Sequence, residues 1–189
     1  MTRIIFVNGP PRSGKDTAGE LLCDFVTGAV AYKFARVLKI GTHALFDAIR
    51  NRLAYPLDCL IDDNYEAVKD DPQPEFFAKT PRQAYIAVSE TLLKPMFGEQ
   101  FFGEILRDQI LRDEPECAVI TDSGFLPEAV PIIEQFGVEN CALIWMRRDG
   151  CDFSSDSRSY LEIPSILPYD IANNGTIRQL RTKLASVVW

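Results

Sequence analysis

Short apolar runs alternate along this chain with stretches in which apolar residues recur every three or four positions. The runs are typical of buried parallel strands and the recurring pattern of amphipathic helices, so their alternation predicts an α/β fold. The predicted strands are 3–8, 29–34, 117–122, 141–146 and the first part of 169–176. The predicted helices cover about 18–26, 37–53, 80–93, 101–110, 128–136 and 177–187.

Two of these helices begin with a capping box, in which the N-cap and third helical residues each bond the other's backbone amide. The boxes pair Thr80 with Gln83 and Thr176 with Gln179. Pro81 occupies the first helical position, where its missing N–H is not needed. These signals mark where both helices start.

The segment 55–79 carries many acidic residues, three prolines and little periodicity. This composition predicts a solvated connection with one helical turn, and a mobile flap over a substrate is the alternative. His43, the only histidine, lies in the second predicted helix without a metal-ligand companion. We expect a surface or packed residue there, with catalysis as the alternative.

A Gly-x4-Gly-Lys pattern runs from Gly9 to Lys15, between the first strand and the first helix. Its glycines let the backbone curl, so that amides point at phosphate oxygens at the positive end of the helix. This order predicts a phosphate-binding P-loop, in which Lys15 reaches the outer phosphates of a nucleoside triphosphate. A glycine-rich turn is the alternative. The predicted ligands of the triphosphate are Gly9, Arg12, Ser13, Gly14, Lys15, Asp16 and Thr17.

Asp16 stands where a P-loop usually carries serine or threonine, whose oxygen binds Mg²⁺. A carboxylate can bind the metal, but without metal it repels phosphate, so we expect nucleotide binding to be unusually metal-dependent. Thr17 is the alternative ligand. Asp122, which ends the third strand, is a candidate to hold the water shell of the metal or to contact the phosphate acceptor. A plain acidic turn residue is the alternative for Asp122.

Several arginines are candidates to bind phosphate. Arg82 lies in the first turn of a helix, where a cation gains nothing from the helix dipole, and this favours anion binding over solvation. Arg147, Arg148 and Arg158 bracket a polar segment, which we expect to form a lid over about 147–160 that closes on the transferring phosphate. A solvated loop with internal charge pairs is the alternative.

Composition narrows the class of protein. The 189 residues, 47% of them apolar, suit one domain with a substantial core. The formal charge of -7 argues against a nucleic-acid platform. The five cysteines show no Cys-x2-Cys spacing, which favours buried thiols in a reducing cytoplasm. No apolar run is long enough to span a bilayer, so we expect a cytoplasmic protein without a membrane partner.

With these residues in view, the chain resembles the bacteriophage deoxynucleoside monophosphate kinases, and more distantly dephospho-coenzyme A kinases and the wider nucleoside monophosphate kinase group. The likeness is closest in Arg12-Ser-Gly-Lys-Asp-Thr17, whose unusual aspartate the phage enzymes also carry. It extends weakly to Phe34-Ala35 with Lys39, Thr80-Pro-Arg82, Val119-Ile-Thr-Asp122 with Glu128, the arginines after Met146, and Asn173-Asn-Gly175. One position departs: the phage kinases have an arginine two residues after the strand-ending aspartate, where this chain has Gly124.

The resemblance implies a P-loop NTPase-type three-layer sandwich, with a parallel sheet of about five strands and helices on both faces. It implies ATP, Mg²⁺ and transfer of the γ-phosphoryl group to a nucleoside 5′-monophosphate. A single domain over 1–189 would include an acceptor-side helical region at about 35–113. Asn173 and Gly175 would lie near adenine. The residues near the acceptor would be Arg36, Lys39, Arg82 and Asp122.

The predicted mechanism is in-line phosphoryl transfer between small-molecule nucleotides without a covalent intermediate, and no strong base is needed because the acceptor phosphate is already anionic. The predicted catalytic residues are Lys15, Arg147, Arg148 and Arg158. The alternatives are a kinase for another small phosphate acceptor such as dephospho-coenzyme A, a non-catalytic nucleotide-binding regulator, and a polynucleotide 5′-kinase, which the acidic charge disfavours. The base, the sugar and the oligomeric state stay open, a homodimer included.

Overall fold

The structure is a computed structural model that describes residues 2–49, 64–154, 156 and 158–187. The chain forms two compact units, one of residues 1–34 with 103–189 and one of residues 35–102. The helical region predicted at 35–113 therefore extends past the end of the second unit, and its last helix belongs mostly to the first.

Five strands form the sheet of the first unit: β1 (Arg3–Asn8), β2 (Ala29–Tyr32), β3 (Cys117–Ile120), β4 (Cys141–Arg147) and β5 (Tyr169–Ala172). Their order is β2-β3-β1-β4-β5, and every pairing is parallel. This confirms the predicted α/β fold with a five-stranded parallel sheet. β2 and β3 are shorter than predicted, and the amide of Phe34 bonds the Asp122 carboxylate at 2.9 Å instead of a neighbouring strand.

Within the described residues there are eight α-helices, in chain order α1 (Lys15–Phe25), α2 (Ala35–Ile49), α3 (Asn64–Ala67), α4 (Pro81–Ala87), α5 (Lys94–Phe97), α6 (Phe101–Asp113), α7 (Leu126–Phe136) and α8 (Ile177–Ala185). The predicted capping boxes at Thr80 and Thr176 are both formed. α7 starts earlier than the predicted residue 128, since the extended Phe125 is its N-cap and a proline opens its first turn.

Apolar side chains are buried on both faces of the sheet. On one face, α1 and α8 pack on the strands through Ile5, Val7, Ala18, Leu22, Val119, Ile144, Met146, Leu180 and Leu184. The strand residues that alternate with these are also buried, among them Ile4, Phe6, Ala118, Ile120 and Leu143. The β1–α1–β2 and β3–α7–β4 crossovers run in opposite directions, and because such crossovers are right-handed, α7 lies on the face opposite α1.

β1 and β3 are therefore neighbours whose following helices leave to opposite faces. Parallel α/β sheets bind ligands at such a place, outside the carboxyl ends of the strands. Phe6 and Tyr32 both lie beside Ile120 in the register. The segments that follow β1, β2 and β3 consequently leave the sheet side by side.

The second unit is helical, and a π-helical segment (Val88–Leu93) joins α4 to α5. Its centre is aromatic: the ring of Phe76 packs 5.2 Å from His43 and 5.6 Å from Tyr65. His43 is 6% exposed, so it is a packed residue. Phe76 is also buried and contributes a core side chain. The prediction of a solvated segment over 55–79 is therefore wrong at this residue. The part of that segment before residue 64 lies outside the described residues.

Two thiols of the first unit are buried in its core. Cys117 and Cys141 are buried, while Cys23 and Cys151 are half-buried; Cys59 lies outside the described residues. Burial raises the pKa of Cys117 to about 11 and that of Cys141 to about 12, so both stay protonated at neutral pH. Among the residues that the structure describes, no helix is long and apolar enough to cross a membrane.

Candidate functional site

The glycine loop, defined here as residues 9–17, joins β1 to α1 and opens the site. Its backbone is left-handed at Arg12 (φ 66°) and at Gly14 (φ 92°). A Cβ on Gly9 would lie 2.6 Å from the Oγ of Ser13, so no larger residue fits at that turn without a shift. The loop is thus curled tightly on itself at the carboxyl end of the central strand.

Some polar groups of the glycine loop have no hydrogen-bond partner among the described residues. The Oγ of Ser13 is fully buried and has no hydrogen-bond partner among the described residues, a state that costs about 1–3 kcal/mol. Gly14 is the N-cap of α1, and within the described part of the chain no side chain caps the first turn. Uncapped amides at a helix N-terminus attract anions. The loop therefore suits an anionic ligand with several oxygens.

Lys15 supplies a buried positive charge at the same place. Its Nζ donates to the carbonyl of Pro10 at 3.4 Å, a long hydrogen bond. Burial lowers the pKa of Lys15 from its usual 10.5, the charge of Arg158 lowers it further, and neighbouring carboxylates oppose both effects. A partly desolvated ammonium is stabilised by an added anion. Lys15 and the loop amides thus favour the same kind of ligand.

Asp16 contacts residues that follow β2 and β3. Its carboxylate forms an ion pair with the Nζ of Lys33 at 2.8 Å and accepts a weak hydrogen bond from the hydroxyl of Thr121 at 3.4 Å. Lys33 was missed in the sequence, because only the strand order brings the end of β2 beside the end of β3. Thr17, the alternative metal ligand, is half-buried in the first turn of α1.

Asp122 follows β3 and lies on the predicted edge of the sheet, where it accepts the Phe34 amide. Asn8, the last residue of β1, ties this edge together and was also missed in the sequence. Its buried amide donates to the carbonyls of Ser123 (2.7 Å) and Ser159 (3.1 Å) and accepts the amide of Leu161 (3.0 Å). The sequence signal for it was a polar residue directly after the apolar run of a predicted strand.

Arg158 is a charge of the predicted lid that lies beside Lys15. Its guanidinium donates to Asp156 at 2.8 Å and 2.5 Å, and both side chains are largely buried. This pairing lowers the pKa of Asp156, and it raises that of Arg158. The stem of Arg158 packs over Gly124, where a Cβ would approach its carbons to 2.6–2.9 Å. The Arg158 side chain therefore fills the space beside Gly124.

The other two predicted lid arginines have different surroundings. Arg147 ends β4, pairs with Asp170 at 2.6 Å, and stacks on the ring of Tyr160 with 4.3 Å to its centroid. These contacts fasten β4 to β5 and to the segment beyond. Arg148 instead donates to the carbonyl of Arg12 at 3.4 Å, so it lies against the glycine loop. The carbonyl of Ser159 is bonded to the Asn8 side chain at the end of β1, and the lid over about 147–160 stays a prediction.

Asn173, predicted to lie near adenine, also contacts the glycine loop. Its side chain donates to the carbonyl of Ser13 at 2.9 Å, and its backbone amide donates to the carbonyl of Arg147 at 2.7 Å. A Cβ on Gly14 would clash with this side chain. Gly175 lies in the turn before the α8 capping box. Asn173 thus braces the loop from the end of β5.

Three predicted acceptor residues lie in the second unit. Arg36 and Lys39 are in the first turns of α2, with the Nζ of Lys39 at 6.0 Å from the centroid of the Tyr85 ring. Arg82 donates to the carboxylate of Asp70 at 2.6 Å and 3.3 Å, and both side chains are about half-exposed. The acidic segment thus supplies a partner for the arginine that was predicted to bind an anion.

The carboxylates beside the glycine loop could bind Mg²⁺ together with a nucleotide. No cluster of three or more His, Cys, Asp or Glu side chains capable of holding a metal is found within residues 2–49, 64–154, 156 and 158–187. Mg²⁺ usually keeps several waters and takes one or two carboxylates plus substrate phosphates. Asp16, with Asp122 across the edge, matches that pattern, and a nucleotide would have to complete the shell.

None of the protein-family models matches this chain, and a search of curated proteins finds no significant match. The functional argument therefore depends on the glycine loop and its surroundings.

Proposed function

We propose that this chain is a P-loop kinase that transfers the γ-phosphoryl group of ATP, with Mg²⁺, to a (deoxy)nucleoside 5′-monophosphate. The observation that carries the proposal is the glycine loop itself. It combines a buried Lys15, an unpartnered buried Ser13 hydroxyl and an uncapped helix N-terminus at the carboxyl end of β1. All three are stabilised by the same ligand, a polyphosphate.

The donor half of the reaction follows from these groups. The loop amides and Lys15 hold the β- and γ-phosphates, and Asp16 is the first candidate to hold the metal. Mg²⁺ supplies neutralisation of the charge that develops on the bridging oxygen. The parallel sheet, with the loop between its central strand and α1, supports a P-loop NTPase-type sandwich as the finer description of the fold.

The transfer half needs positive charge rather than a base. An acceptor monophosphate is already an anionic nucleophile, so positioning and electrostatic stabilisation are the main requirements. Arg158, next to Lys15, and Arg148, next to the glycine loop, are suited to that role. Arg147, held by Asp170 and Tyr160, is better suited to positioning this edge. The nucleoside monophosphate as acceptor is supported by the resemblance in residues 12–17.

The test is a screen for ADP release. Purified protein is given MgATP and, one at a time, every ribo- and deoxynucleoside monophosphate and dephospho-coenzyme A. We expect stimulation by one or a few nucleoside monophosphates, absent in Lys15→Ala. Stimulation by dephospho-coenzyme A alone would assign the other kinase class. ATP binding without any acceptor-stimulated release would favour a nucleotide-binding regulator and contradict the proposed transfer.

A further inference from the structure

The ion pair between Asp16 and Lys33 links the glycine loop to the end of β2. Tyr32 lies beside Ile120 in the sheet register, so Lys33 and Thr121 leave the sheet together. Both reach Asp16, with Nζ at 2.8 Å and Oγ1 at 3.4 Å from the carboxylate. Three elements, α1, β2 and β3, thus meet at one carboxylate beside the loop.

This carboxylate poses an electrostatic problem for a polyphosphate site. Asp16 lies in the first turn of α1, where a negative charge stabilises the helix but opposes an incoming phosphate. A neutral hydroxyl at this position would carry no such charge. Lys33 places a positive charge in contact with Asp16, so the pair as a whole is neutral toward phosphate. Its half-exposed position makes the ion pair weak enough to exchange partners.

We propose that Lys33 is the internal counter-cation of Asp16, and that it sets how strongly nucleotide binding depends on Mg²⁺. The proposal rests on the proposed nucleotide site and deepens it. Without metal, Lys33 cancels the repulsion between Asp16 and a nucleoside di- or triphosphate. With metal, Mg²⁺ and Lys33 compete for the same carboxylate, so Lys33 weakens the benefit of the metal. Lys33 is therefore a positioning residue whose effect is opposite in sign with and without Mg²⁺.

The experiment measures the Kd of ATP by calorimetry, without acceptor, once with excess Mg²⁺ and once with EDTA. The quantity compared is the ratio of the two constants, EDTA over Mg²⁺. Lys33→Met should raise this ratio by about tenfold, because it leaves the charge of Asp16 uncompensated when metal is absent and frees that carboxylate for metal when metal is present. Asp16→Asn should lower the ratio. The double variant should resemble Asp16→Asn, since Lys33 acts through that carboxylate.

Two further variants separate this role from general electrostatics. Lys33→Arg should restore most of the wild-type ratio because it keeps the charge. Arg107→Met breaks another 2.8 Å ion pair of the same unit, Arg107 with Asp108, and should leave the ratio unchanged. Thermal unfolding of each variant checks that the fold is retained.

The outcomes distinguish the two proposals. If the wild-type protein binds no ATP under either condition, the proposed nucleotide site itself is wrong. If the wild type binds ATP and Lys33→Met leaves the ratio unchanged, or weakens binding equally with and without metal, the counter-cation role is wrong while the nucleotide site stands. A Lys33→Met effect that persists in the Asp16→Asn background would also overturn it.

Discussion

Gly124→Ala tests whether the position of Arg158 is essential to the proposed transfer. A Cβ at residue 124 would lie 2.9, 2.7 and 2.6 Å from the Cβ, Cγ and Cδ of Arg158. Carbon atoms pack at about 3.5–4.0 Å, so the arginine stem has to move by about 1 Å. The Cβ of Arg158 is fixed to the backbone, so rotation of the side chain alone does not relieve the overlap.

A displacement of about 1 Å in a catalytic group can cost about a hundredfold in rate. We therefore expect Gly124→Ala to lower kcat by about ten- to a hundredfold. The KM for ATP should change little, because the glycine loop and Lys15 keep their contacts. The assay is steady-state ADP release with each substrate varied in turn.

A double variant tells whether the loss acts through Arg158. Gly124→Ala combined with Arg158→Met should be no slower than Arg158→Met alone, since the displaced side chain is then absent. Gly41→Ala is the matched control: a Cβ there meets open space, and alanine favours the helix. Full activity of folded Gly124→Ala, or losses that multiply in the double variant, would refute the reasoning.

Three other predictions follow from the charged groups. Lys15→Ala should lower turnover at least about a hundredfold, because its charge stabilises the transition state; steady-state kinetics check this, and near-normal turnover by the folded variant would contradict the P-loop assignment. Arg82→Ala should raise the acceptor KM by about one to two orders of magnitude without changing that for ATP, whereas Asp70→Asn should lower it by removing a competitor for the guanidinium; equal effects on both substrates would exclude this role. The pKa of Asp156 is lowered from 3.8 by Arg158, so the stability that it contributes is complete above that value and lost as the pH falls through the lower folded pKa. Urea unfolding should accordingly show the gap between wild type and Asp156→Asn shrinking below pH 3.8, and a gap independent of pH would contradict it.

The sheet was predictable because its strands are short, continuous apolar runs. Cys117–Ile120 and Cys141–Arg147 are buried on both faces, so their sequences are apolar at nearly every position. The capped helix starts were predictable for a similar reason, since the box at Thr80 depends on residues close in sequence. Local chemistry of this kind survives folding unchanged.

The buried face of the segment before α4 could not be predicted in this way. The 55–79 segment reads as polar because it carries seven acidic residues and three prolines and its apolar residues show little periodicity. The ring nevertheless packs against His43 of α2 and Tyr85 of α4, which both lie outside this segment. A single large side chain can be buried without periodicity, since three or four aromatic neighbours suffice to cover it.

The residues of the candidate site also differ in how far they could be predicted from the sequence. Lys15 and Asp16 were predictable because the glycine loop encodes their place locally. The partners of Lys33 and Asn8 were not, because they lie far away in the sequence, in α1 and in the segments that follow β3 and β4, and the strand order brings them close. Strand order is set by the packing of helices on both faces and leaves no local signature in the sequence.

The two ion pairs beside the glycine loop differ in a way that suggests how the site responds to a phosphate. The Lys33–Asp16 pair has side chains 51% and 58% exposed, whereas those of Arg158–Asp156 are 22% and 8% exposed. Separating an exposed ion pair costs little free energy, because water solvates each partner. Separating a buried pair costs more, because each charge is left poorly solvated. An incoming polyphosphate should therefore exchange partners at Asp16 first. In the proposed transfer, Arg158 would then act with Asp156 still attached, so the proposal makes its placement over Gly124 the feature that Gly124→Ala tests.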